Sequence, residues 1–424
     1  MNVLRSVSVQ GFWGTKDFTI DFHPDVNFLI GVNGSGKTTL INLIAAGLTA
    51  DLMMLERLQF TRLQIELINI KTLRKPSIEI RKQPGKELPF PELSYSIRDQ
   101  ASASATSYSL ADLPHPSIYQ RRQTAMEMSR RRAFSISEHL KKLANVSWLS
   151  IHRSQVSSRT PEEKNFESTV DMKLDQLQND LVKYFSLLAG RSEAEVSRFQ
   201  KTVFLSLVNQ QVTPDFFGSI GKINLDDETA SLVQIFKQFG MDEPQFKAQV
   251  TQHFEAVKEA QESTAKGKGY STNQFAAILA NARIHSLVQE WQKLGERQSQ
   301  ITAPRTEFLR ILNRMMTRKT YHVNEQNELI SVMSDSDRKL PLSELSSGEK
   351  QLLILFAEGL LQQNNDWIYI ADEPELSLHV SWQEQLVDDL RSINPHAQIL
   401  CATHSPDIVS SYSSHVFDMQ KVLA

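Results

Sequence analysis

A lysine followed by two threonines near the start of this chain, and two adjacent carboxylates with a histidine beyond them near its end, are the side chains best suited to chemistry. The first group closes Gly31-Val32-Asn33-Gly34-Ser35-Gly36-Lys37-Thr38-Thr39, which fits the phosphate-loop pattern G-x-x-x-x-G-K-[ST]. Glycines in such a loop let backbone N–H groups curl around phosphate oxygens, while Lys37 reaches the β and γ oxygens and Thr38 would hold Mg2+. Asn33, Gly34, Ser35, Gly36, Lys37, Thr38 and Thr39 are the candidate nucleotide-binding residues. The second group is Asp372-Glu373-Pro374, and phosphoryl transfer needs both metal charge neutralisation and an oriented nucleophile. Asp372 is the candidate for the metal, and Glu373 for polarising the attacking water. Asp-Glu-Pro after a strand is also ordinary turn chemistry; the phosphate loop in the same chain favours the catalytic reading.

The elements that must position these groups are legible around them. Val26 to Ile30 reads as a buried strand ahead of the loop and Thr39 to Ile44 as an apolar helix after it. A bound anion would then sit at a helix N-terminus, where free amides and the helix dipole favour negative charge. Trp367 to Ala371 is a continuous apolar run, typical of a parallel strand buried on both faces, and it ends at the two carboxylates. A further strand, Gln398 to Thr403, delivers His404 and Ser405 at its C-terminal end, where ligands bind in open α/β sheets. Taken alone, a histidine there is more often structural than functional. The fold class these elements predict is α/β.

In chain order, the phosphate loop, Leu345-Ser346-Ser347-Gly348-Glu349-Lys350-Gln351, Asp372-Glu373-Pro374 and His404 resemble the head of an ABC-type ATPase, a P-loop NTPase. The resemblance implies ATP and Mg2+ as cofactors and gives His404 the role of sensing the γ-phosphate. It also implies that Ser346, Ser347, Gly348 and Glu349 close over the γ-phosphate held by a second head, so that two ATP molecules are sandwiched in a homodimer. On physical grounds a Ser-Ser-Gly-Glu helix start offers both a capping box and free amides to an anion, and the two readings are compatible.

Roughly 300 residues separate the phosphate loop from the signature, about two domains' worth of chain. That spacing resembles the SMC, RecF and OLD-like branch, in which an insertion splits the head into two lobes. The opening segment Val3 to Phe22, the Ser-Gly-Glu-Lys end of the signature and Asp372-Glu373-Pro374-Glu375-Leu376-Ser377-Leu378-His379 agree with it. A membrane transporter is a poor reading, since no apolar run approaches the ~20 residues of a spanning helix and no signal peptide is visible. The single cysteine, Cys401, lies in an apolar strand, which excludes a disulfide framework and suits a reducing, cytoplasmic location. A net charge of −3 gives no global nucleic-acid signature.

Three segments are expected: an N-terminal ATPase lobe over residues 1–160, a helical insertion over 161–318 and a C-terminal ATPase lobe over 319–424. In the first, Leu63 to Ile70 and Ser77 to Arg81 alternate as antiparallel strands beside the nucleotide, residues 97–117 read as a loop or linker, and Val146 to Ile151 as a buried strand. Gln64 could lie on the metal side or simply follow strand alternation. In the insertion, Leu174, Leu177, Leu181, Tyr184 and Leu188 recur at helical spacing, as do Ile278, Ile284, Leu287, Trp291 and Leu294, with Gly190, Pro214 and Gly240 expected as breaks. No heptad seam persists, so a compact helical module replaces an SMC rod. Two strands around Asn324 to Asn327 lead back to the head. Basic clusters at Lys71, Arg74, Lys75, Arg81 and Lys82, and at Arg121, Arg122, Arg130, Arg131 and Arg132, are candidates for nucleic-acid contact, with a solvated charged surface as the equal alternative. Phe12 and Trp13 are candidates for stacking on adenine.

Within that branch the two lobes resemble the PtuA-type ATPases of Septu and retron-associated bacterial anti-phage defence. This resemblance implies a subunit without its own nuclease, working with a separate HNH nuclease of PtuB type, and in some systems with a retron reverse transcriptase and its DNA or RNA. With 20 residues after His404, a C-terminal Toprim nuclease of the OLD kind is not expected. The alternative is a RecF- or SMC-like repair ATPase that binds DNA without a nuclease partner.

Overall fold

Alternating apolar residues build one antiparallel sheet and uninterrupted apolar runs build a parallel one, and the glycine-rich loop, Asp372-Glu373 and His404 follow strands of the second. The structure, a computed structural model, describes residues 2–84, 92–109, 134–149, 169–208, 224–266, 269–409 and 412–424. Strands β1 (Asn2–Phe12), β2 (Lys16–Asp21) and β3 (Val26–Ile30) precede helices α1 (Lys37–Thr49) and α2 (Leu52–Arg57). Strands β4 (Arg62–Asn69), β5 (Ser77–Gln83), β6 (Glu92–Arg98), β7 (Thr106–Ser109) and β8 (Val146–Leu149) follow. Helices α3 (Thr169–Val208), α4 (Leu225–Gln238), α5 (Glu243–Ala265) and α6 (Thr272–Met315) come next. The chain then forms β9 (Lys319–Val323), β10 (Leu329–Met333), β11 (Lys339–Leu340), α7 (Ser347–Leu361), β12 (Trp367–Asp372), α8 (Val380–Ile393), β13 (Ala397–Ala402) and β14 (Val416–Asp418).

Two compact units result, one of residues 1–184 with 304–424 and one of residues 185–303. The first holds both large sheets. Its antiparallel sheet runs β2-β1-β4-β5-β6-β7, and its parallel sheet runs β14-β3-β13-β12-β8. Helix α1 is buried from Leu40 to Leu48 and shares one core with Val7, Ile65 and Ile80 of the antiparallel sheet and Ile368, Ile370 and Leu400 of the parallel one. A helix apolar all round must be covered all round. Each fully buried leucine or isoleucine there stabilises the fold by about 1.5–3 kcal/mol, so the helix behind the phosphate loop is firmly seated. A buried amide joins the sheets: Gln398 Nε2 donates to Leu4 O and to His23 O, both at 2.7 Å, and Oε1 accepts from Leu4 N at 2.7 Å.

The unit of residues 185–303 is helical, with small apolar clusters such as Phe246, Val250 and Phe254. Of the expected apolar stripes, Leu174, Leu177, Leu181, Tyr184 and Leu188 are all buried, as are Ile278 and Leu294. Gly240 ends α4 in a left-handed turn (φ 74°), as expected. Gly190 breaks nothing; it lies inside the 40-residue α3 with open space where a Cβ would stand, and the apolar residues on either side carry the helix through it.

Of the loop expected over residues 97–117, the described part, 97–109, is only partly a loop, and 110–117 lie outside the described residues. Thr106–Ser109 pairs with β6 in the register Ile97↔Thr106 and Tyr95↔Tyr108, extending the alternation of buried Leu93, Tyr95 and Ile97 to a sixth strand. The hairpin around Asn324 is present as β9 and β10, with Val323 opposite Leu329. Among the described residues no helix is long and apolar enough to cross a membrane. His152, Arg153, Pro214 and the cluster from Arg121 to Arg132 lie outside the described residues.

Candidate active site

Strands β3, β13 and β12 are neighbours in the parallel sheet, so their C-terminal ends open onto one place. From β3 the chain enters the glycine-rich loop, from β12 it delivers Asp372 and Glu373, and from β13 Thr403 and His404. These ends border a cleft of about 780 Å³. Asn33, Gly34, Ser35, Gly36, Lys37, Thr38 and Thr39 all line it, with Glu373 and His404 opposite. Thr38 Oγ1 donates to Asp372 Oδ1 at 3.0 Å, joining residues 334 positions apart. The loop and the carboxylates, read separately in the sequence, are one site.

Glycines shape the loop where side chains could not fit. Gly36 caps α1 with φ 92°, and a Cβ there would stand 3.0 Å from the Trp13 ring. Lys37 is 4% exposed, and its Nζ donates to the loop carbonyls of Gly31 at 2.9 Å and Val32 at 3.3 Å. Burial presses its pKa below the usual lysine value, while Glu373, Asp372 and Glu375 oppose the fall. An ammonium so placed is held by weak acceptors that a phosphate can replace.

Glu373 has a left-handed backbone (φ 50°), a conformation that costs a side-chain-bearing residue about 1–2 kcal/mol. Its N–H donates to Ala402 O at 2.8 Å, so the strained turn is fixed to β13. Strain retained in this way beside a cleft points to function. His404 Nε2 stands 3.9 Å from Glu373 Oε1, too far for a hydrogen bond but close enough to act on one ligand.

The signature residues lie elsewhere. None of Ser346, Ser347, Gly348 and Glu349 lines the cleft of its own chain. Ser346 caps α7 in a capping box: its Oγ accepts from Glu349 N at 3.4 Å, and Glu349 Oε2 accepts from Ser346 N at 2.8 Å. Burial alone would raise the Glu349 carboxyl, but Lys319 at 2.5 Å and the Ser346 hydrogen bonds hold it below its ordinary value. Gly348 is pressed against the loop after Glu373; a Cβ there would meet Ser377 O at 2.4 Å. The side chain of Gln351, also on α7, donates to Pro374 O at 2.7 Å.

Several other expectations resolve. Phe12 is fully buried in the core and cannot stack on a ligand, whereas Trp13 turns out through a left-handed backbone (φ 54°), stays 42% exposed and lines the cleft. Gln64 lies on β4, where it accepts from Arg62 at 3.2 Å and donates to Glu66 at 3.4 Å; strand alternation accounts for it. In the first basic cluster, Arg81 binds Glu79 at 2.7 Å and Lys82 Nζ donates to the carbonyls of Leu55, Glu56 and Leu58 at the end of α2. That leaves Lys71, Arg74 and Lys75 exposed on the β4–β5 turn. Glu375 and Leu376 also line the cleft; both stand in the Asp372 to His379 string, where residue type alone does not mark them as site residues.

A family model described as AAA ATPase domain matches residues 3–409. The Retron Ec83 probable ATPase of Escherichia coli is 29% identical over 102 residues, which is 22% of this chain and only 18% of that protein's length. Among solved structures, the Smc head domain with an extended coiled coil bound to the C-terminal domain of ScpA, from Pyrococcus furiosus, is 12% identical with a TM-score of 0.45, covering 96% of this chain and 91% of that one. The SmcHead bound to the C-winged helix domain of ScpA is 12% identical with a TM-score of 0.44 and the same coverage of each chain.

Proposed function

Because the chain belongs to the AAA ATPase domain family, we propose that its cleft binds ATP with Mg2+ and hydrolyses it through Glu373 and His404. The observation that carries this reading is the bond from Thr38 to Asp372, which unites the phosphate loop with the carboxylates at the end of β12. Loop amides at the start of α1 and the Lys37 ammonium would bind the phosphates. Glu373 would orient the attacking water, and His404, across the cleft, would contact the γ-phosphate. Trp13, exposed beside Gly36, would stack on the base.

The donor set fits Mg2+. Thr38 Oγ1 and Asp372 Oδ1 are hard oxygen donors beside the phosphate loop, and Mg2+ keeps several waters and takes substrate oxygens rather than a full protein cage. Among the described residues no group of three or more His, Cys, Asp or Glu could hold a metal by itself. Held there, the ion would neutralise phosphate charge.

We further propose that Ser346, Ser347, Gly348 and Glu349 act on the nucleotide of a second copy, since they lie off their own cleft, and that ATP therefore joins two heads. Residues 1–160 and 319–424 would form the lobes of that head and 161–318 its helical insertion. The partial likeness to a retron ATPase supports a role in anti-phage defence, with a separate HNH nuclease of PtuB type as partner and, in a retron, its reverse transcriptase. Phosphate release from ATP by the purified chain tests the catalytic reading, with Lys37→Ala expected to abolish it; equal turnover by both proteins would contradict it. Co-purification with a nuclease encoded beside it tests the partner. Nucleotide-dependent retention of DNA by the isolated chain, with no nuclease partner, would instead favour the repair reading.

A further inference from the structure

Glu375 is 9% exposed and lines the nucleotide cleft, yet among the described residues it forms no salt bridge. A buried carboxylate is costly unless its oxygens are used. Only one of them is. Oε1 accepts from Thr403 Oγ1 at 2.7 Å and from His404 N at 2.8 Å, while Oε2 is buried without a hydrogen-bond partner. The two groups held by Oε1 define what this carboxylate does.

Those groups belong to the other loop of the site. Thr403 is fully buried, its N–H donates to Leu29 O on β3, and its hydroxyl also accepts from Ser405 N at 2.9 Å. The single hydroxyl hydrogen goes to Glu375 Oε1 at 2.7 Å. From a loop that begins at Glu373, Glu375 thus holds the His404 N–H directly and orients the Thr403 hydroxyl that holds the Ser405 N–H after it. The same loop is gripped between them, where Pro374 O accepts from Gln351 of the signature helix.

We infer that Glu375 is a positioning residue, holding His404 in register with Glu373 from a loop that Gln351 of the signature helix grips at Pro374. The inference rests on the proposed hydrolysis at this cleft and adds to it the residue that joins the two loops.

The test is steady-state ATP hydrolysis by the full chain, with nucleotide affinity and thermal melting measured alongside. Glu375→Ala is expected to lower kcat about 10- to 100-fold, the loss typical of a misplaced catalytic group, with KM and ATP affinity unchanged. Glu375→Gln, which keeps an acceptor for Thr403 and His404, should restore most of the turnover. Thr403→Val removes one arm of the contact and should fall between them, and it serves as the probe if Glu375→Ala does not fold. The double variant Glu375→Ala with His404→Ala should be no slower than His404→Ala alone, because one residue acts through the other. Wild-type turnover in Glu375→Ala, or losses that multiply in the double variant, would overturn the inference. If Glu373→Gln and Lys37→Ala hydrolyse ATP like wild type, the failure belongs to the catalytic reading instead.

Discussion

Thr38 and Asp372 stand 334 residues apart in the chain and share a 3.0 Å hydrogen bond, Oγ1 donating to Oδ1. Asp372→Asn would exchange the carboxylate proposed to bind Mg2+ for a neutral amide at that bond. The expected result is a loss of turnover on the order of 100-fold, with Mg2+ required at higher concentration and little change in nucleotide affinity measured without metal. Titrating Mg2+ against phosphate release checks it; an unchanged Mg2+ dependence would remove Asp372 from the proposed metal site.

Trp13 and Phe12 are neighbours with opposite roles. Trp13→Ala should weaken ATP binding about 5- to 150-fold, the range equivalent to the ~1–3 kcal/mol of one stacked base, while leaving the melting temperature nearly unchanged. Phe12→Ala, at a fully buried site, should instead cost about 3–5 kcal/mol of stability. Calorimetric titration with ATP and thermal denaturation of both variants separate the two effects. A Trp13 variant with wild-type affinity would place the base elsewhere.

That pair also marks what the sequence could and could not reveal. Type and spacing were enough for the phosphate loop, the buried strands β3, β12 and β13, and the β9–β10 hairpin, because each has an apolar period or a fixed glycine pattern. They were not enough to choose between two adjacent aromatics, since the choice depends on a left-handed turn at Trp13. Strand β7, Thr106–Ser109, was hidden by its small polar residues and owes its place to pairing with β6. Gly190 carries no signal that distinguishes a break from a gap on an exposed helix face. Glu375 sat in plain view beside Asp372 and Glu373, but its hydrogen bonds to Thr403 and His404 cross 28 and 29 positions of chain.

A pH dependence follows from the cap of the signature helix. Glu349 has a folded-state pKa below its ordinary 4.5, where hydrogen bonds from Lys319 and Ser346 outweigh burial. A depressed carboxylate contributes stability that is fully present above its unfolded value and is lost as pH falls through the lower, folded one. Glu349→Gln should therefore melt a few degrees below wild type at pH 7, with the gap closing below about pH 4.5. Melting curves from pH 7 to 3 test this; a gap that stays constant would mean the charge does not stabilise the cap.

The most direct test of ATP held at a composite site is the mass and bound nucleotide of Glu373→Gln, measured by light scattering with and without ATP and Mg2+. With the carboxylate proposed to orient water gone and the proposed binding groups intact, this variant should keep ATP unhydrolysed and at least double its mass when ATP is added. A variant that releases ATP as fast as wild type and shows the same mass with and without it would contradict the account.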